Sequence, residues 1–219
     1  MTITKTIAKP VKIVSNLEAK RGPKAFIEEV NEDQVWQKAR EIIARGEPNS
    51  FYIMNLQSVR DRLALWHKLL PSVKIHYAVK TNVDDQVLRE VLKDGSGFDC
   101  ASTFEIDKVL TLGANPEKII FAHPCKTEHM IRHAKKVGVR WFTFDSKEEA
   151  SKIHRLFPEA QLILRIEVTD TDAPRPMSKK FGAPLLLVEQ ILLKCHKLNM
   201  SVRGVSFHVG SGGCSFESY

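Results

Sequence analysis

The chain has 219 residues, of which 43% are hydrophobic and 27% are charged, and this composition excludes a disordered or collagen-like protein. No apolar run reaches the roughly 18 to 20 residues of a membrane-spanning helix, and the first residues lack the apolar stretch of a secretory signal. The net charge of +7 comes with neither interleaved aromatic residues nor a recognisable nucleic-acid module, so we expect no nucleic-acid partner and no membrane.

Residues 1–31 show weak periodicity and predict an extended or partly stranded segment, after which helices and strands alternate. The predicted helices are residues 33–45, 57–70, 84–94, 102–112, 126–137, 146–156 and 184–199. The predicted strands are residues 51–56, 74–79, 96–100, 119–123, 141–145, 161–168 and 202–209.

Most of these strands are near-continuous apolar runs, such as IHYAV, WFTF and LILRI. Such runs are typical of parallel strands that helices cover on both faces. Strand starts recur every 20 to 23 residues, at 74, 96, 119, 141 and 161, which favours a β/α (TIM) barrel over an open doubly wound sheet. We therefore predict an α/β fold, with a lead-in segment at 1–50 and an incomplete barrel of six strands at 51–219.

The four cysteines are far apart and form no C-x-x-C pair, being Cys100, Cys125, Cys195 and Cys214. This spacing predicts neither a zinc site nor a redox dithiol, and no other metal site is expected. We expect reduced, mostly buried thiols and a cytoplasmic protein.

An ionisable residue ends one predicted strand after another. These residues are Lys80, Asp99, Asp145, Arg165 and His208. In a parallel barrel the carboxyl ends of the strands meet at one rim, where the fold carries its chemistry. Each residue alone has an ordinary structural explanation, such as a helix cap at Asp145, but together at a common rim they favour a functional site.

Lys80 has the most distinctive chemistry of this set. It follows the apolar residues 77–79, and a lysine in partly apolar surroundings can lose its proton and form a Schiff base with a carbonyl. Asp99 on the next strand could hold an imine or a cofactor hydroxyl in its reactive protonation state, and the His208 imidazole could lie flat on an aromatic cofactor. The run 210–213 offers backbone N–H groups and a hydroxyl of the kind that bind phosphate, although a strand-terminating turn alone explains it better.

Seven separated segments then carry a specific resemblance. They are YAVKTN at 77–82, GFDCAS at 97–102 with Glu105 three residues on, FAHPCK at 121–126, FDS at 144–146, LILRI at 162–166, SKKFGA at 178–183 and GVSFHVGSG at 204–212. In this order they resemble eukaryotic-type ornithine decarboxylases, which are pyridoxal-phosphate-dependent enzymes of fold type III with a barrel and a C-terminal β domain. The resemblance implies that the N-terminal segment joins that β domain.

The resemblance implies cofactor-binding roles for four residues of the rim. Lys80 resembles the lysine that binds pyridoxal phosphate as a Schiff base, from which the substrate amine displaces it. Asp99 and Glu105 are similar to the acidic residues beside the Schiff base and the cofactor ring. Arg165 matches an arginine of the same network.

Two further residues match the family in the last segment. His208 is similar to the histidine that stacks on the pyridine face, and Ser211 to the serine at the cofactor phosphate. Lys80 and His208 are therefore the expected catalytic residues.

The implied reaction is the decarboxylation of L-ornithine to putrescine, the first step of polyamine biosynthesis. The same fold also decarboxylates lysine, arginine or diaminopimelate, and these substrates stay open. An alternative of another class is a non-catalytic antizyme inhibitor, although the retained Asp99, Arg165 and HVGSG at 208–212 argue against it.

The resemblance also implies partners and a longer protein. The enzymes of this family are homodimers with shared active sites. Residues 118–155 hold nine basic and four acidic side chains; solvated helix faces explain this excess most simply, but it falls where the family's antizyme-binding element lies. Because a barrel takes about 250 residues, we expect an N-terminal fragment that alone binds the cofactor weakly and does not turn over ornithine.

Overall fold

The computed structural model describes residues 32–168, 173–175 and 177–212. The chain divides into two units, Met1–Val73 and Lys74–Tyr219. The first unit contains helices α1 (Glu32–Ala44) and α2 (Leu56–Leu69). Both helices agree with their sequence predictions to within one residue at each end.

The prediction of a strand at residues 51–56 is wrong. Its first five residues are irregular, with Tyr52 97% exposed, and Leu56 already belongs to α2. The side chain of Asn55 accepts a hydrogen bond from the Ser58 backbone N–H at 3.3 Å and so caps the helix. A short apolar run does not by itself distinguish a strand from a helix, and here a capping residue inside the run starts a helix.

Strands and helices alternate through the second unit. The strands are β1 (His76–Ala78), β2 (Gly97–Cys100), β3 (Ile119–Phe121), β4 (Trp141–Phe144), β5 (Gln161–Arg165) and β6 (Ser201–Ser206). The helices are α3 (Asp85–Asp94), α4 (Thr103–Thr111), α5 (Glu128–Lys136), α6 (Lys147–Leu156) and α7 (Leu185–Lys197). Every strand and helix predicted for this unit is present, with ends that differ by at most three residues.

The six strands form one parallel sheet in the order β1-β2-β3-β4-β5-β6. A doubly wound sheet reverses its strand order at a switch point, whereas a barrel adds each strand beside the one before it. The sequential order therefore confirms the barrel prediction. Within the part of the chain that the structure describes, β1 and β6 each pair with one neighbour, so the sheet is open and the barrel is incomplete.

Large apolar side chains are buried along the middle strands, as their unbroken apolar runs predict. Phe98 of β2, Phe121 of β3, Phe144 of β4 and Leu164 of β5 are at most 1% exposed. The last strand differs, because Val205 of β6 is 60% exposed. The hydrophobic core therefore lies against β2 to β5 and thins towards β6.

A polar side chain caps each of the helices α3 to α6 shortly after the preceding strand ends. The caps are Asp84, Ser102, Thr127 and Ser146. The alternative assignment of Asp145 as a cap is wrong, because Ser146 Oγ accepts the Glu149 N–H at 3.2 Å. The Asp145 carboxylate instead accepts the Gly182 N–H at 3.1 Å, since its place at the end of β4 directs it across the rim.

Two of the three cysteines in the described ranges are buried, as expected. These are Cys100 and Cys195, whereas Cys125 is exposed; Cys214 lies outside the described residues. Burial raises the pKa of the Cys195 thiol to about 11 and that of Cys100 further. Across the same ranges, no helix has the length and apolar character needed to cross a membrane.

Candidate functional site

The candidate site begins where β1 ends. A single 3-10 turn, Val79–Thr81, follows the strand directly. Val79 is fully buried and anchors this turn, whereas the neighbouring Lys80 is exposed. The Tyr77 hydroxyl donates to the Asn82 carbonyl across the turn at 3.3 Å. The structure thus presents Lys80 to solvent at the carboxyl end of β1.

Asp99 lies on β2, where it pairs with Ala78 of β1. Its Oδ1 atom is buried and has no hydrogen-bond partner among the described residues. Burial raises the pKa of Asp99; Lys80 lowers it, Glu105 raises it and Arg165 lowers it. These electrostatic interactions join four of the predicted site residues into one group.

Arg165 is the last residue of β5 and is partly buried. Its Cζ atom lies 5.4 Å from the centre of the Phe181 ring, and its Nε is buried without a partner in the described part of the chain. Burial lowers the pKa of Arg165, while the carboxylates of Asp145 and Asp99 raise it. The guanidinium group is therefore held between an aromatic ring and two acidic side chains, with one N–H group left over.

Glu105 has a structural task in the first turn of α4. Its Oε2 accepts the Ala101 N–H at 2.6 Å, and its own N–H donates to Ser102 Oγ at 3.2 Å. This reciprocal arrangement resembles a capping box. Glu105 thus fixes the start of α4 and places a negative charge near Asp99.

His208 and Ser211 lie on the segment after β6, at the carboxyl edge of the sheet. His208 is partly buried, and its Nδ1 accepts the Gly210 N–H at 2.9 Å. The backbone of Ser211 exchanges hydrogen bonds with Arg175, at 3.0 and 3.4 Å. Gly210 and Gly212 have φ angles of 85° and 81°, in the left-handed region that glycine adopts most readily. Gly213 of the predicted phosphate-binding run lies outside the described residues.

Sequence reasoning assigned no role to four residues near this rim, which are His123, Lys126, Glu149 and Phe181. The ring of Phe181 stands edge-on to that of His123, with 5.8 Å between centres. Lys126 is buried against Glu149, although it belongs to the basic stretch interpreted as solvated helix faces. The signal available was their place in the segments FAHPCK and SKKFGA, which contain three of the four.

The rim leaves buried polar atoms unpaired. Among the described residues, Asp99 Oδ1, Arg165 Nε and Ser206 Oγ of β6 have no hydrogen-bond partner. Buried polar groups are seldom left unpaired, so a cluster of them indicates groups that a ligand or water satisfies. With the amine of Lys80, the rim offers a nucleophile, an acidic group and a cationic donor on neighbouring elements.

Known proteins match most of this chain. The model of the family "pyridoxal-dependent decarboxylase, pyridoxal binding domain" matches residues 56–219. The ornithine decarboxylase of Saccharomyces cerevisiae is 43% identical over 173 residues, which are 79% of this chain and 37% of the yeast protein. That of Caenorhabditis elegans is 42% identical over 188 residues, which are 84% of this chain and 44% of the nematode protein.

A solved structure has the same fold. The crystal structure of the arginine decarboxylase of Paramecium bursaria Chlorella virus superposes with a TM-score of 0.80 at 39% sequence identity, covering 84% of this chain and 50% of that one. This chain thus spans half or less of the length of each of these three proteins. Within that span the family model covers every strand of the sheet. The chain therefore belongs to the pyridoxal-dependent decarboxylase family, whose pyridoxal binding domain its residues 56–219 match.

Proposed function

We propose that this chain is the cofactor-binding part of an enzyme that decarboxylates L-ornithine to putrescine. The observation that carries the proposal is the position of Lys80, an exposed amine at the carboxyl end of β1 within electrostatic range of Asp99. The curated relatives at 42 and 43% identity are ornithine decarboxylases. They support ornithine as the substrate.

The unpaired atoms of the rim fit the cofactor of this family, pyridoxal phosphate. The cofactor has an aldehyde, a phenolic oxygen, a ring nitrogen and a phosphate, which need a nucleophile and both donors and acceptors. Asp99 Oδ1 offers an acceptor or, when protonated, a donor, and Arg165 Nε offers a donor. When bound, pyridoxal phosphate supplies an electron-withdrawing ring that takes up the electron pair released by carbon dioxide loss.

In this proposal the residues of the chain bind and orient. Lys80 holds the cofactor covalently through Nζ and later displaces the product amine. Asp99 and Arg165 carry opposite charges beside Lys80, and each favours the charged form of the other. The Arg165 charge lowers the pKa of Asp99, and the Asp99 charge raises the pKa of Arg165. Glu105 holds the start of α4 and adds a negative charge to this group.

The segment after β6 completes the proposed site. His208 offers an imidazole face to the cofactor ring, and the hydrogen bond that its Nδ1 accepts from Gly210 fixes the ring orientation. Ser211 offers its hydroxyl to the phosphate, beside glycines whose backbone N–H groups serve the same anion.

The decisive experiment is covalent trapping at Lys80. The full-length protein is incubated with pyridoxal phosphate, reduced with sodium borohydride and digested, and the labelled peptide is identified by mass spectrometry. We expect the label on Lys80, its loss in Lys80→Ala, and its retention in Lys74→Ala, which removes an exposed lysine from the start of the same unit. Equal labelling of the Lys80→Ala and Lys74→Ala variants would contradict the proposal.

Substrate choice needs a separate measurement, because arginine decarboxylase has the same fold at 39% identity. Release of labelled carbon dioxide from ornithine, lysine and arginine is compared at equal concentrations. We expect the largest kcat/KM for ornithine. A larger kcat/KM for arginine or lysine would identify that amino acid as the substrate instead of ornithine, while the proposed role of Lys80 would stay the same.

We also propose two protein partners for the full-length protein. One is a second copy of the chain, in a homodimer with shared active sites. The other is antizyme, which would bind through the basic stretch 118–155, where Lys135 and Lys136 are exposed at the end of α5. Lys135→Glu/Lys136→Glu should weaken antizyme capture, whereas Lys197→Glu at the end of α7 should not. Unchanged affinity of the double variant would contradict this surface.

For the compartment we propose the cytoplasm. In support, the described cysteines are free thiols, two of them buried, as is usual in a reducing compartment. Cell fractionation of the tagged full-length protein tests it, and recovery in a secretory or organelle fraction would contradict it.

A further inference from the structure

Lys126 lies between β3 and α5, and its side chain is 0% exposed. Its ammonium group donates to the His123 carbonyl at 2.8 Å and to the Thr143 carbonyl at 2.6 Å. The Glu149 carboxylate lies 3.0 Å away. Three acceptors saturate the three N–H donors of a lysine. The Phe142 ring, with its centre 5.5 Å from Nζ, closes the site on another side.

These contacts tie the segment after β3 to the next β/α unit. Thr143 belongs to β4 and Glu149 to α6. Glu149 Oε1 also accepts the backbone N–H of Lys126 at 3.1 Å, so both ends of this lysine meet the same carboxylate. A buried ion pair is weak evidence for stability, because desolvation offsets the attraction between its charges. A role in fixing the position of the segment accounts for it better.

His123, whose carbonyl accepts a hydrogen bond from Lys126, has its ring at the rim. His123 Nδ1 accepts the Cys125 N–H at 3.1 Å, so the neutral ring carries its proton on Nε2. The ring stands edge-on against Phe181 at 5.8 Å. The Phe181 ring also contacts Arg165, whose Cζ lies 5.4 Å from the ring centre, and Lys180, whose Nζ lies 5.3 Å from it. A continuous chain of contacts therefore runs from the buried ammonium to the guanidinium of the candidate site.

Electrostatics agree with this geometry. Burial lowers the pKa of His123, and the charges of Lys126, Lys180 and Lys80 lower it further, against the opposite effect of Glu149. The ring is therefore neutral at pH 7. Its interaction with Lys80 places it within electrostatic range of the proposed cofactor lysine.

We propose that Lys126 is a positioning residue of the cofactor site, which holds the His123 ring against Phe181 and thereby fixes the Arg165 guanidinium. This inference rests on the proposed function, because the site that it serves is the proposed site for pyridoxal phosphate. Lys126 itself touches neither substrate nor cofactor in this role.

The test is a double-mutant cycle in the full-length protein, read by the dissociation constant for pyridoxal phosphate. The variants are Lys126→Met, His123→Ala and the two combined. If Lys126 acts through His123, each single change raises the dissociation constant about tenfold. The double variant then binds no more weakly than the single variant with the larger effect. Lys152→Met is the matched control, because it removes another cation from Glu149, at 2.6 Å, without touching His123; its binding should stay within about twofold of wild type.

Stability and cofactor binding are measured separately on each variant. Should Lys126→Met not fold, Lys126→Arg replaces it, because a planar guanidinium keeps the charge but cannot reproduce the three bonds of the ammonium. Unchanged cofactor affinity in the folded Lys126 variant, or effects that multiply to about a hundredfold in the double variant, would overturn the inference. Absence of any label on Lys80 in the wild type would overturn the proposed function instead, so the two failures are distinguishable.

Discussion

Lys126 and Glu149 form an ion pair that solvent does not reach, with 3.0 Å between Nζ and Oε1 and side chains that are 0% and 3% exposed. Burial lowers the pKa of Lys126 to about 8, although Glu149 acts in the opposite direction. Desolvation of the ammonium group therefore outweighs its attraction to the carboxylate. The pair holds adjacent β/α units together at an electrostatic cost.

Removing one member of this pair should destabilise the protein more than removing both. Glu149→Gln leaves a buried cation without its partner, and we expect the free energy of unfolding to fall by about 3 to 5 kcal/mol. Lys126→Met/Glu149→Leu replaces both charges by apolar groups of similar size and should lose less. Urea unfolding followed by circular dichroism measures the free energy of unfolding of both variants. A double variant that is less stable than Glu149→Gln would contradict the expectation.

Asp99→Asn should stabilise the apo protein at neutral pH. Burial raises the pKa of Asp99 in the folded state above its unfolded value, so the folded state binds the proton more tightly. The contribution of Asp99 to stability is therefore present at low pH and is lost as pH rises through its folded pKa. Asparagine does not titrate, so we expect the Asp99→Asn variant to be more stable than the wild type at pH 7 by about 0.5 to 2 kcal/mol.

The pH dependence of that difference is the critical observation. Unfolding of wild type and Asp99→Asn is compared between pH 4 and pH 8, and the advantage of the variant should shrink towards the unfolded pKa of about 3.9. A difference that is constant over this range would show that ionisation of Asp99 is not its cause.

Two substitutions separate the two tasks of Glu105. Glu105→Gln keeps an acceptor for the Ala101 N–H and should leave stability nearly unchanged, whereas Glu105→Ala should lower it by about 1 kcal/mol through loss of the cap. Both remove the charge that raises the pKa of Asp99, so that pKa should fall in both. Carbon-detected NMR titration of Asp99 measures it, and a fall in one variant alone would contradict the charge effect.

Gly97→Ala should be strongly destabilising. A Cβ at this position would lie 2.5 Å from the Lys118 carbonyl oxygen and 2.6 Å from the His76 ring, and relieving such contacts typically costs about 1 to 3 kcal/mol. Gly204→Ala on β6 is the matched control, because its Cβ meets nothing within 4 Å. Thermal unfolding of both compares them, and an equal loss of stability would show that strand glycines matter here for another reason.

The architecture was predictable because β/α units repeat at a nearly constant spacing. Apolar runs such as WFTF mark strands that are buried on both faces, and the polar residue after each run marks the rim. The same reasoning gave a wrong prediction for residues 51–56, because an apolar run does not show whether a neighbouring strand is available to pair with it. The domain limits at residues 50 and 51 stay a prediction.

The arrangement of the candidate site was predictable only where chemistry and position coincide in the sequence. Lys80 follows an apolar strand and Asp99 lies one residue before the end of another, so their place at the rim could be inferred. The burial of Lys126 could not, because it depends on Glu149, which lies 23 residues further on and belongs to α6, the helix of the following β/α unit. The contact of Phe181 with His123 joins residues 58 positions apart, and no local pattern encodes such a pair.

The sequential strand order has a consequence for how the chain acquires its structure. Strands β1 to β5 begin at residues 76, 97, 119, 141 and 161, so each finds its partner after closing a loop of about one β/α unit. Only β6, which begins at residue 201, waits for a longer stretch of chain. Pairing can thus follow synthesis from the ribosome strand by strand, with each finished unit serving as the template for the next.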